Sequence, residues 1–335
     1  MSQRTRLRAN GPATRTGWLA GWALAAVLGV LPACRGAPAL VDRVPEVQAP
    51  KAFTESGTEA PVDDWWTRFG DRRLDRHVER ALEANRELES VWHAFREAAA
   101  VARGAGAPQR PMLDLFLDGT TVRSTEGSDV EQAAVGAALA YEVDLWGRLE
   151  AGRRAEVLEA WASLDDYHTA MVSLTAEVAR TWYRLREAEL QVAVLDEQIE
   201  ANEKILSLIE PRVAAQQLRS VDLLRQETLI ESRREARIEA ETDAQVLRNQ
   251  LAVLSGRPPG GAEADEDPAL VDLPPLPDTG VPIESVRRRP DVKSAAYRVM
   301  AGDQELGAAL RDRFPRLNLE ATAGSAAGIF EGFLT

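Results

Sequence analysis

Tyr141-Glu142-Val143-Asp144-Leu145-Trp146-Gly147-Arg148 opens the stretch whose reading decides the fold. It leads into residues 153–210, a run of 58 residues without glycine or proline, and a second such run fills 212–255. A helix of the first length spans ~87 Å at about 1.5 Å per residue, several times an ordinary globular helix. Steps of seven from Val157 meet Leu164, Met171, Val178, Leu185, Val192, Ile199, Leu206 and Val213, all apolar. A seven-residue repeat of that length predicts a left-handed seam against partner helices. The second run carries a weaker version through Ala236, Ala240, Leu247, Leu251 and Leu254. The pattern predicts an antiparallel pair of very long helices that turns near 211–220.

Around this pair, the 335 residues are 45% hydrophobic but only 6% aromatic, which suits long helices better than a compact enzyme. The formal net charge of −13 argues against nucleic acid as a partner. Residues 1–33 read as a signal peptide, with Arg4, Arg6, Arg8 and Arg15 ahead of an apolar stretch at 18–30 that is too short to span a bilayer comfortably. The stretch ends in Leu31-Pro32-Ala33-Cys34, and Cys34 is the sole cysteine, so no internal disulfide forms. Residues 34–62 hold Pro38, Pro45, Pro50 and Pro61 and read as a tether.

From 63 to 255 the chain reads as one unit. Asp63 or Asp64 is expected to cap a short helix whose Trp65 and Trp66 pack downward. Residues 72–103 show one apolar helical face through Leu74, Val78, Leu82, Leu88, Val91, Trp92, Phe95 and Val101. Two strands follow. In 111–122, Leu113, Leu115 and Leu117 alternate with Asp114, Phe116 and Asp118; in 133–145 the odd positions from Val135 to Leu145 are apolar. Each is long enough for a tilted membrane strand. Alternation alone does not distinguish a lipid-facing strand from one half-buried in a soluble sheet, and pattern by itself favours the soluble sheet. Residues 256–284 form a proline-rich linker, with seven prolines between Arg257 and Pro282.

Sliding the chain by 204 residues places Leu88 on Val292, Phe95 on Val299, Pro111 on Pro315, Leu113 on Leu317 and Leu115 on Leu319. Residues 285–335 therefore restart the unit as helix, proline and alternating strand, and are expected to be an incomplete second repeat.

Four stretches together resemble the TolC-like outer-membrane factors of tripartite efflux systems, in particular their lipoprotein (NodT) branch. They are the lipobox at Cys34; Trp65-Trp66 with Phe69, Asp71, Leu74, Ala81-Leu82 and Asn85; the motif Tyr141, Glu142, Asp144, Leu145, Trp146, Gly147 and Arg148; and Arg288-Arg289-Pro290-Asp291-Val292 with Phe314-Pro315-Arg316-Leu317. The resemblance covers nearly the whole chain after Cys34. It implies a mainly α fold with β: long coiled-coil helices forming a periplasmic α-barrel, continued from membrane β-barrel strands. It also implies a homotrimer anchored by lipid on Cys34 in the outer membrane, acting as a passive exit duct for small solutes. The partners implied are a periplasmic adaptor and an inner-membrane pump, with no cofactor beyond the covalent lipid.

At the helix tip the family reads Arg, then Gly four later, Ser seven later and Asp ten later. Arg212 and Asp222 keep the pattern, but Gln216 and Arg219 replace the glycine and serine. By the resemblance, Gln216, Gln217, Leu218 and Asp222 are the adaptor-contact positions. The second repeat reads as stopping before its own long hairpin, so the expectation is a shortened family member. The competing reading is a coiled-coil lipoprotein, or a decayed channel, that transports nothing.

Catalytic chemistry finds no foothold. His77, His93 and His168 have no metal-ligand spacing, Gly104-Ala105-Gly106 is a helix terminator, and Gly324-Ser325-Ala326-Ala327-Gly328 is no nucleophile elbow. Arg287-Arg288-Arg289 reads as a helix-start cluster, solvated or paired, and Asp165-Asp166 as a solvated helix face.

Overall fold

The computed structural model describes residues 50, 52–58, 63–123, 129–260 and 269–328. All belong to one compact unit, Pro45–Thr335. The signal segment, Cys34, most of the tether and residues 329–335 lie outside the described residues.

A 3-10 turn at Trp65–Phe69 leads to α1 (Arg72–Ala84), α2 (Arg86–Gly104), β1 (Met112–Arg123) and β2 (Asp129–Val143). The hairpin α3 (Arg148–Ala214) and α4 (Ser220–Leu254) follows, then α5 (Pro282–Arg288), α6 (Pro290–Arg311) and β3 (Leu317–Gly328). α3 is the spine, packing against α1, α2, α4 and α6. Its 67 residues extend ~100 Å at about 1.5 Å per residue. The seven-residue column faces inward: Val178 and Leu185 are buried and its other members half-buried. Polar rungs tie α3 to α4. Gln226 donates to the Asn202 side chain at 2.9 Å, Arg234 meets Glu203 at 2.6 Å, Arg237 meets Asp196 at 2.5 Å and Arg248 meets Glu189 at 3.1 Å.

The predicted single helix over 72–103 is two helices. Asn85 leaves helical geometry at ψ 122°, ends α1 with its backbone N–H, and caps α2 by accepting from the Leu88 N–H at 2.9 Å. Asparagine competes well for backbone groups, which is why a continuous apolar face hides the break. The expected cap at Asp63 or Asp64 is also displaced. Asp64 precedes the 3-10 turn without a side-chain cap bond, whereas Asp71 caps α1 by accepting from the Arg73 and Leu74 N–H groups.

The buried core gathers where α1 lies across the hairpin: Trp66, Leu74, Val78 and Ala81 meet Val178, Trp182, Leu185, Ala244 and Leu251. Trp182 organises its polar edge. Its indole N–H donates to Asp71 Oδ2 at 2.8 Å, His77 stacks 4.9 Å away, and the Arg186 guanidinium sits 4.4 Å from the ring. Arg186 is 1% exposed and pairs with Glu189 at 2.6 Å, which carries the charge of Arg248 as well. A buried cation survives there because carboxylate and π-face both answer it.

The repeat is structural. α1 and α5 end at Ala84 and Arg288, and α2 and α6 begin at Arg86 and Pro290, each pair 204 residues apart. α5 begins at Pro282, inside the stretch read as linker to 284, because proline is pre-set for a first helical position. β1 and β3 then flank β2 on opposite sides in an antiparallel sheet of order β1-β2-β3.

Candidate functional site

The sheet has two chemically different faces. Leu113, Leu115 and Leu117 pair with Leu139, Ala137 and Val135, which pair in turn with Ala321, Ala323 and Ser325. Residues opposite one another share a face, so this side is apolar. Leu115 and Leu117 are 80% and 78% exposed. Asp114, Asp118, Glu142, Asn318, Glu320 and Thr322 occupy the other side. Phe116 lies in the same row as Gly136 and Gly324, and a Cβ on Gly136 would stand 2.5 Å from its ring. The sheet thus sets its leucines on one face and its carboxylates on the other, with Met112 and Phe116 among the carboxylates.

The eight-residue motif is the joint between this sheet and the helices. Gly147 takes φ +74°, a left-handed conformation that glycine adopts without steric cost. That turn lets Asp144 accept from the Glu150 N–H at 2.9 Å, capping α3 from outside. Arg148 holds both oxygens of Glu142, at 2.7 and 2.9 Å, and lies 3.7 Å from Asp312 at the end of α6. Trp146 stacks on Phe314 with centroids 4.8 Å apart and donates to the Pro315 carbonyl at 2.9 Å. Leu145 stays 61% exposed. The motif therefore clamps the β2–α3 junction to the α6–β3 junction. Glu150, one turn into α3, is held well below the usual carboxylate range by hydrogen bonds from Arg153, Gln109 and Arg154.

At the tip, residues 215–219 turn the chain. Gln217 N–H donates to the Arg212 carbonyl at 2.8 Å, and Gln216 itself adopts φ +59°. The left-handed turn that glycine would favour is kept with a glutamine in it. Arg219 occupies the N-cap of α4 without a side-chain cap bond, and instead lies 3.5 Å from Asp222. Gln216, Gln217 and Leu218 are exposed and Asp222 is half-buried. Gln216, Gln217 and Leu218 lie on the turn itself and Asp222 in the first turn of α4 directly after it.

Sequence reasoning missed an exposed column on α3. Trp161, Val172, Val194 and Ile205 are 51%, 57%, 45% and 47% exposed and sit at multiples of eleven residues, interrupted at Tyr183, which packs against the core. An eleven-residue period at 3.67 per turn makes a nearly straight stripe. Counting by eleven as well as by seven would have found it. It also misread Asp166, which is no solvated acid: it accepts from the buried Ser294 hydroxyl at 2.6 Å and pairs with Arg298, binding α6 to α3. Asp165 contacts His168 at 3.2 Å. Arg289 meets Asp291 at 2.6 Å at the start of α6.

The three histidines stay apart: His77 against Trp182, His93 beside Glu89, His168 beside Asp165. Burial first, then the charges of Arg257, Arg80, Arg76 and Arg186, push His77 down to about 4. Among the described residues no group of acids, histidines or cysteines is arranged to hold a metal. Among them, too, no helix is long and apolar enough to cross a membrane.

Residues 77–257 match the family model for outer membrane efflux proteins, and the chain belongs to that family. Its fold is that of a TolC-like channel subunit, mainly α with a small sheet. The chain is 28% identical to the pyoverdine export outer membrane protein OpmQ of Pseudomonas aeruginosa over 89% of its own length and 66% of that protein's. It is 25% identical to nodulation protein T of Rhizobium leguminosarum bv. trifolii over 86% of its length and 64% of the relative's. It thus spans between 58% and 66% of the length of such curated relatives. Among solved structures it resembles the outer-membrane channel OprN, with TM-score 0.71 and 23% identity over 85% of this chain and 72% of that one. A membrane protein from Pseudomonas aeruginosa matches with TM-score 0.72 and 26% identity over 87% and 69%.

Proposed function

We propose that this chain is a subunit of an outer-membrane efflux duct, a passive exit path for small solutes with no catalytic step of its own. The observation that carries this is the sheet with one leucine face and one carboxylate face, set directly on a long helical hairpin. Lipid accepts the first face and excludes the second, and strands cross lipid only as a closed barrel. The apolar column from Trp161 to Ile205 supports assembly with further copies, because an isolated chain leaves it in water. A homotrimer gives that column and the open edges of β1 and β3 a partner. The relatives' names describe outer membrane proteins of export and efflux systems, which supports an inner-membrane pump and a periplasmic adaptor docking at Gln216, Gln217, Leu218 and Asp222. Cys34 is the proposed site of lipid attachment.

The experiment is reconstitution of the purified chain into planar bilayers, with its mass in neutral detergent read alongside. Discrete conductance steps from a trimeric species are expected. A monomer that binds vesicles but conducts nothing would replace the duct with a lipid-anchored coiled-coil scaffold. Incorporation of labelled palmitate, lost in Cys34→Ala, tests the anchor separately.

A further inference from the structure

A cavity of about 700 Å³ opens where the base of the sheet meets the end of α2. Met112, Glu142, Asn318 and Glu320 line it from the carboxylate face of the sheet, together with Tyr141 of the apolar face. Its opposite wall carries Arg103, from the last turn of α2, and Arg110, just before β1. Both guanidiniums are exposed and neither makes a hydrogen bond or ion pair among the described residues. Glu142 bonds Arg148 instead, through both of its oxygens. The two arginines also border a second cavity of about 530 Å³, which Gln109, Arg153 and Val157 line with them.

We infer that this cavity is a binding site for amphiphilic solutes that carry a carboxylate, taken up on the path through the duct. The proposal rests on the duct reading only in supposing that the carboxylate face of the sheet is the water-filled one. Planar guanidinium forks donate paired, charge-assisted hydrogen bonds to a carboxylate. Met112 gives the apolar body of the solute a surface beside them. The volume falls within the range of sites that enclose drug-sized ligands, ~300–1,000 Å³. Position gives the site its use. Further along the same face come Asp114 and Asp118, with no arginine or lysine among the described positions 112–120, 134–142 and 318–324. An anion approaching that face is repelled. The arginine pair at its foot offsets this by concentrating carboxylates at the entrance, while Glu320 keeps the hold weak enough for release.

Dansylglycine, a fluorescent carboxylate with an apolar body, tests the site by anisotropy on the full chain in neutral maltoside micelles. Saturable binding is expected, at least tenfold weaker for the neutral methyl ester. Arg103→Gln with Arg110→Gln should weaken dansylglycine binding at least tenfold, and Arg103→Lys with Arg110→Lys should keep most of it. Glu320→Gln should tighten it. Far-ultraviolet circular dichroism of each variant establishes that the helices are intact. Equal binding of acid and ester, or binding that survives the double glutamine change, overturns the site. Bilayer conductance of the same double variant separates the two readings: conductance with no arginine-dependent binding removes the site and leaves the duct, whereas binding in a chain that never conducts leaves the site and removes the duct.

Discussion

Replacing Gln216 by glycine should tighten the hairpin tip, and the size of the effect follows from the backbone. Gln216 sits at φ +59° between two long helices. A left-handed conformation costs a residue with a Cβ about 1–2 kcal/mol, which glycine does not incur. Glycine also gives the unfolded chain more freedom, a loss of about 0.5–1 kcal/mol. The difference leaves a net gain of about 0.5–1 kcal/mol in the local stability of the turn, or roughly two- to fivefold in its opening constant. The amides that report it are Gln217 and Leu218, both directed at the Arg212 carbonyl, at 2.8 and 3.3 Å. Native-state hydrogen exchange should slow at those two amides by that factor in Gln216→Gly and quicken in Gln216→Val, whose branched Cβ fits φ > 0 worst. Amides beside Trp182, far along the hairpin, serve as the control and should not move. Faster exchange in the glycine variant, or identical exchange in both variants, would refute the claim that the turn is held against its own preference.

Four further outcomes are expected. Arg219→Ser should supply the missing N-cap of α4 and stabilise it by about 0.5–1 kcal/mol, read as slower exchange in its first turn. Asp71→Ala removes the cap of α1 and strands a buried indole N–H, so chemical denaturation should show a loss of about 2–4 kcal/mol. Burial would raise the Asp71 carboxyl, but hydrogen bonds from Trp182, Arg73 and Leu74 outweigh it and hold the group below its ordinary 3.8. Its contribution is therefore complete above that pH and lost as pH falls through the lowered folded value; Asp71→Asn should flatten this acid limb of the stability curve. His77 behaves with the opposite charge: folded near 4 and unfolded near 6.5, it lets the unfolded chain take the proton first. Stability should fall between pH 6.5 and 4, and His77→Gln should remove that slope from a series of melts.

The hairpin and the strands were legible because their signal is periodic and long. Eight steps of seven from Val157 leave no other element for α3, and Leu113, Leu115 and Leu117 set the strand period unaided. The break at Asn85 was not legible, since one residue serving as stop through its backbone and as cap through its side chain leaves the apolar period on either side undisturbed. The clamp of Trp146 to Phe314 and Pro315 joins residues almost 170 positions apart, which no local pattern encodes. The same holds for Asp166, whose partners Ser294 and Arg298 arrive from the second repeat. The cavity at Arg103 and Arg110 was hidden for a related reason: its two walls come from helix end and sheet, and only folding brings them face to face.

The register of the sheet has a consequence for how such a chain can change length. From Gln132 to Val143, each residue of β2 opposes one residue of β3 with no bulge between them. Which face a side chain meets therefore depends only on whether its position is odd or even. Inserting one residue ahead of Val135 would carry Val135, Leu139 and Tyr141 to the carboxylate face and Glu142 to the apolar face, reversing every assignment beyond the insertion. Inserting two would restore them. Strand length in this family should accordingly drift in steps of two, and a single-codon insertion in β2 should be harsher than any single substitution there.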